Sequence, residues 1–165
     1  MSHIESKALA DTFQKTRDLT KWYLSLLKEI APELQPQLNA QKLNSIYWLT
    51  AHLVWAENFL IIKATGGNGV EIPWLEHYKL GSDGSLHDAR GDFKSLLSDM
   101  KMVHEASMAH LLTLDDETLH QPNPVGFAFG TDNTNRMMIM HAIRHEGTHA
   151  GQLGWLCKLH GVKAI

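Results

Sequence analysis

Three histidines near the end of the sequence stand four residues apart, in the run His141-Ala-Ile-Arg-His145-Glu-Gly-Thr-His149. Four residues of α-helix advance the chain by about 6 Å and turn it by about 40°, so neighbours in such a series share one face. His145 and His149 can therefore meet a single ion, whereas His141 is turned by about 80° from His149 and lies about 12 Å along the axis. Neutral imidazole suits zinc, nickel and similar borderline cations, and a stable site needs at least three protein ligands. The third must come from another segment, and His52 is the strongest candidate. It lies beside the apolar ridge of Leu49, Leu53 and Ala56, while His3, His77, His87 and His120 fall at the terminus or in loops. A histidine in an apolar setting must find either a ligand or a hydrogen-bond partner, and on its own His52 fits the second reading as well. His104, His110 and His160 have no companion at ligand spacing and are expected at the surface or in packing.

The same run contains His145-Glu146-Gly-Thr-His149, which matches H-E-x-x-H, the zinc-binding helix of metalloproteases with glutamate as base. The downstream glycine and histidine that extend this motif in one protease class are replaced by Gln152 and Trp155, and no strand is available to pair with a peptide. Protease chemistry is thus the weakest reading. Glu146 is turned by about 100° from His145, which fits a surface position or a supporting one as well as a base. Cys157 is expected in the core. Gly147, Gly151 and Gly154, with Ala150, form a small-residue strip along the same helix, which calls for a close neighbour because glycine in a helix costs up to about 1 kcal/mol relative to alanine.

Four helical segments position these groups. Apolar residues recur at threes and fours from about Ile4 to Ile30, and Pro32 and Pro36 predict a stop near Ala31. A second segment runs from about Ala40 to Ala64 and carries His52, with Thr65-Gly66-Gly67 as its terminator. Residues 66 to 91 lack a sustained period and read as a long crossover loop, either a cover over a site or a wrap around the helices. The third helix is expected from Asp92 to about Leu112, followed by a loop from Thr113 to Asn133. Asn133 or Thr134 then caps a fourth helix that extends to Leu159, with Gly161 as its stop. No alternating pattern predicts a strand. The expected fold is all-α: a four-helix bundle with long crossover connections, spanning residues 1–165 as a single domain.

Composition narrows the function. The 165 residues carry 15 basic and 18 acidic side chains, a formal charge of -3, which offers no basic footprint for nucleic acid. One cysteine excludes an internal disulfide, and no run approaches the ~20 apolar residues of a membrane span. The N-terminal stretch lacks the apolar core of a signal peptide, so a cytoplasmic location is expected.

Two segments, Asn44-Ser-Ile-Tyr-Trp-Leu-Thr-Ala-His52-Leu-Val-Trp-Ala-Glu57 and His145-Glu-Gly-Thr-His149-Ala-Gly151-Gln152-Leu153, together resemble the DinB-like superfamily of metal-binding proteins. The resemblance implies an up-down-down-up bundle, a homodimer, and a divalent metal, zinc or nickel, held by His52, His145 and His149. It also implies metal-dependent chemistry on a small molecule, thiol transferase-like or hydrolase-like, with a low-molecular-weight thiol as the candidate partner. The alternative is a metal-binding stress or structural protein without turnover. A pocket lined by Trp55, Phe59 and loop aromatics would favour the enzyme.

Overall fold

The computed structural model describes residues 2–164 and is mostly helical. Helix α1 spans Ile4–Leu26 and buries Ser6, Ala10, Phe13, Arg17 and Thr20, a stripe spaced four, three, four and three residues apart. It ends earlier than the expected Ile30. Its last turn tightens as the Leu27 amide donates to the carbonyls of both Tyr23 and Leu24, and the side chain of Leu27 goes into the core.

The second expected helix begins later than Ala40, because the chain first makes a small antiparallel ribbon of β1 (Gln37–Leu38) and β2 (Gln41–Lys42). Gln37 faces Lys42 and Leu38 faces Gln41, with Asn39 in the left-handed region at φ 55°. Strands of two residues are too short to leave an alternating signal, which is why the pattern predicted none. Helix α2 then runs over Ile46–Glu57, started by Ser45, whose hydroxyl accepts from the Trp48 amide. All but Trp55 of its residues are buried, so it is the central element. It continues through a wide turn at Asn58–Ile62 and a tight one at Lys63–Thr65 to Gly66, whose φ of 96° closes it at the expected place.

The long loop at 66 to 91 contains a 3-10 turn, Pro73–Tyr78. Helix α3 spans Phe93–Leu111, capped by Asp92. The second loop contains the short helix α4, Asp116–Leu119. Helix α5, Asn135–Leu159, is capped by Thr134, and Gly161 follows at φ 68°. No helix among the described residues is long and apolar enough to cross a membrane.

Side-chain pairings give the helix directions. Glu5 meets Arg136, Arg17 meets Glu146 and Tyr23 lies against Gly154, so α1 and α5 run the same way. Tyr47 packs on Phe93 and Glu57 bonds His104, so α2 and α3 also run together, and they run antiparallel to the first pair, since Leu49 shares a cluster with Leu156 at the end of α5 and Leu60 shares one with Met138 at its start. Two apolar clusters result. One gathers Leu27, Leu49, Val54, Leu96 and Leu156; the other gathers Phe13, Leu60, Leu111, Met138 and Ile139. Arg17 on α1 and Glu146 on α5 fall between the two, and Glu57 on α2 lies at the near edge of the second.

Candidate metal centre

Helix α2 supplies His52 and helix α5 supplies His145 and His149, which meet between the two helices. The Nε2 atoms of His52 and His145 are 3.1 Å apart, and those of His145 and His149 are 3.2 Å apart. One nitrogen from each of the three rings lies within 4.8 Å of the others. Two nitrogens bound at about 2.0–2.1 Å to one tetrahedral ion would stand about 3.3–3.4 Å apart. The spacing therefore matches a shared ion.

The second ring nitrogens show how these faces are held. The Nδ1–H of His52 donates to the backbone carbonyl of Tyr78 at 2.6 Å, and a carbonyl can only accept. That bond leaves the lone pair of His52 on Nε2, the atom turned toward His145. His149 repeats the device, with Nδ1–H donating to Oε1 of Gln152 at 2.8 Å. Two lone pairs therefore converge on His145 Nε2, which as a donor could satisfy only one of them. A cation satisfies all three, and outer partners of this kind fix ligand tautomers in metal sites.

Burial keeps the rings neutral, which is the form that ligates. It pushes the pKa of His145 down to about 3, with the neighbouring His149, His52 and His141 adding to the effect. His52 is lowered chiefly by its burial, against the opposing bond to Tyr78, and His149 is lowered by burial against its bond to Gln152. Trp48, one turn before His52, stacks on its ring at 4.8 Å between centroids, and the buried indole N–H of Trp48 has no acceptor among the described residues.

His141 stays outside the group, as its rotation predicts; it packs against the Phe129 ring at 4.3 Å and lies 3.3 Å from an Arg144 nitrogen. The loop at 66 to 91 does serve the site, through the Tyr78 carbonyl. Trp55 and Phe59 stack on each other at 5.3 Å, and the Trp55 indole donates to Glu76. A cavity that includes Gln152 in its lining lies toward the end of α5 and the β ribbon.

Glu146 is buried and engaged elsewhere. Its Oε1 accepts from Thr20 at 2.5 Å and its Oε2 from Nη2 of Arg17 at 3.1 Å. The same Nη2 donates to Glu57 at 2.6 Å, and the other oxygen of Glu57 bonds Nδ1 of His104 at 2.8 Å. A base that activates water must reach the metal side, and these bonds tie both carboxylate oxygens of Glu146 to α1, so the H-E-x-x-H reading loses its base. His104 is 5% exposed and bonded through both nitrogens, the second to Gln14, so it is a network member rather than a surface residue. Sequence reasoning missed Arg17 and Thr20. Their signal was available in the Ser6-Ala10-Phe13-Arg17-Thr20 stripe, which a search for apolar periodicity passes over. Cys157 is buried as expected, and burial raises its thiol pKa. Of the glycine strip, only Gly154 has a close neighbour: a Cβ there would meet the Tyr23 ring at 3.0 Å, whereas one at Gly151 would meet nothing within 4 Å.

Compared with protein-family models, residues 12–153 match the DinB superfamily, a stretch that includes all three converging histidines. No curated protein matches the chain.

Proposed function

The chain belongs to the DinB superfamily, and from that premise we propose that it binds one divalent ion of the zinc or nickel class through His52, His145 and His149. The observation that carries this reading is the convergence of three Nε2 atoms, two of them with lone pairs fixed by bonds on the opposite side of the ring. We also read residues 1–165 as one domain, an up-down-down-up four-helix bundle, which the pairing of α1 with α5 and of α2 with α3 supports.

The function proposed is metal-dependent chemistry on a small molecule, with thiol transfer preferred to hydrolysis. When bound, such an ion supplies Lewis acidity and a positive charge that favours an anionic fourth ligand such as a thiolate. The protein's residues hold it. Tyr78 and Gln152 orient two imidazoles, burial keeps all three neutral, and none of the three brings a negative charge that would compete with an anionic substrate. With Cys157 buried, a nucleophilic sulfur would have to come from a substrate thiol. A homodimer fits the exposed apolar side chains Leu19 on α1 and Leu97 and Met102 on α3, and sedimentation showing only an 18.6 kDa species would remove it.

The test is cobalt substitution followed by a panel of cellular thiols. A thiol entering the coordination sphere produces a sulfur-to-metal charge-transfer band, and the His149→Ala variant should show none. No band with any thiol, together with no metal-dependent turnover, would leave an ion that only ties α2 to α5.

A further inference from the structure

A cavity of about 420 Å³ opens between the β ribbon, the start of α2 and the last turns of α5. Its volume lies in the range of small-molecule sites, roughly 300–1,000 Å³. The walls are apolar: Leu38 and Leu43 on the ribbon side, Leu49 from α2, and Trp155 and Leu159 from α5. Trp155 is 65% exposed and Leu38 is 54% exposed, so among the described residues two large apolar groups at this cavity stand open to solvent. Exposed apolar surface gathered around a concavity marks a binding site more often than a packing fault.

Two polar groups give the cavity a direction. Lys42 brings the one charge among its lining residues, an ammonium on an exposed side chain. Gln152 lines it as well, and the oxygen of the same amide accepts from His149 Nδ1 at 2.8 Å. Leu49 stands three residues, about one turn, before His52 on α2. The cavity thus reaches Gln152, the residue bonded to His149, at one edge and carries a positive charge elsewhere on its rim.

We infer that this cavity is a substrate subsite for an organic anion with an apolar body, held by Leu38 and Trp155, with its anionic group neutralised by Lys42 and its other end directed toward Gln152 and, beyond it, His149. The inference rests on the metal-centre reading only for which end of the ligand reacts. Binding in the cavity needs no ion.

Isothermal titration of the full chain with decanoate, decan-1-ol and decyltrimethylammonium tests it. Decanoate should bind once per chain, and decan-1-ol about two- to fivefold more weakly, the range set by one solvent-exposed ion pair. The cation should be the weakest of the three. Lys42→Met should reduce decanoate to the level of the alcohol, and Trp155→Ala should weaken all three amphiphiles more than tenfold. Both side chains are exposed, so neither change touches the core, and Leu38→Asp provides a second disruption of the wall. Decanoate binding that survives chelation supports the subsite even if the metal reading fails; metal uptake without decanoate binding overturns the subsite and leaves the metal reading intact. Equal affinity for all three amphiphiles overturns it too. So does a dimer that Trp155→Ala dissociates and decanoate leaves intact, since a second copy of the chain would then cover this face.

Discussion

Arg17→Met removes the one cation that separates two buried carboxylates. The side chains of Arg17, Glu57 and Glu146 are 0%, 1% and 2% exposed, and both glutamates share Nη2, at 2.6 and 3.1 Å. Removing one partner of a buried ion pair leaves uncompensated charge and costs about 3–5 kcal/mol. For a domain of this size that is a loss of about 6–20 °C in Tm, out of a total stability of about 8–25 kcal/mol. The sign with pH follows from Glu146. Burial already raises its carboxyl pKa above the ordinary 4.5, with Arg17 the largest opposing influence, so the substitution raises it further. A native state that holds its proton more tightly than the unfolded chain loses stability as pH rises through the raised value. The deficit of the variant should therefore be smallest near pH 4.5 and widen toward neutrality. Urea unfolding followed by circular dichroism, with chelator present so that metal linkage does not contribute, measures both quantities. Glu146→Gln, which keeps the Arg17–Glu57 pair, should lose less. A deficit under about 1 kcal/mol at pH 7, or one that widens on acidification, would refute the reasoning.

Gln152→Leu should lower metal affinity about 10- to 100-fold while leaving the unfolding of the chelated protein unchanged, because the exposed Gln152 amide acts only by orienting His149; a competition titration against a chromophoric chelator reads it. The chelated protein should lose stability as pH falls from the ordinary histidine value of 6.5 toward about 3, since His145 stays neutral when folded and takes up its proton on unfolding; acid titration with urea melts would contradict this if stability rose over that window. Gly151→Ala should stabilise by about 0.5–1 kcal/mol, having open space for its methyl group, whereas Gly154→Ala should fail to gain because of the Tyr23 ring, a contrast read by thermal melts.

The long helices were legible because their apolar residues recur at threes and fours, and helix α5 was bounded correctly by Thr134 and Gly161, whose chemistry is local. His145 and His149 were legible for the same reason, since spacing within one helix fixes relative direction. The ribbon was not, because two-residue strands are specified by the Asn39 turn and leave no period. The buried network was not, because Arg17 finds partners 40 and 129 residues away, and a charged residue on an otherwise apolar stripe looks like an interruption of it. The apolar cavity was missed because it joins the ribbon to the end of α5, two segments that no sequence signal links. His52 could be nominated from its apolar surroundings, yet its orientation depends on the Tyr78 carbonyl, which lies in a loop without a readable pattern.

The most direct test of the central claim is the metal content of untagged protein and of four single alanine variants at neutral pH, measured by plasma mass spectrometry after exhaustive desalting. The account predicts one equivalent of a divalent transition metal in the unmodified chain and in His141→Ala, and loss of stoichiometric binding in His52→Ala, His145→Ala and His149→Ala. Full occupancy in His149→Ala, or dependence on His141 with His52 dispensable, would contradict it.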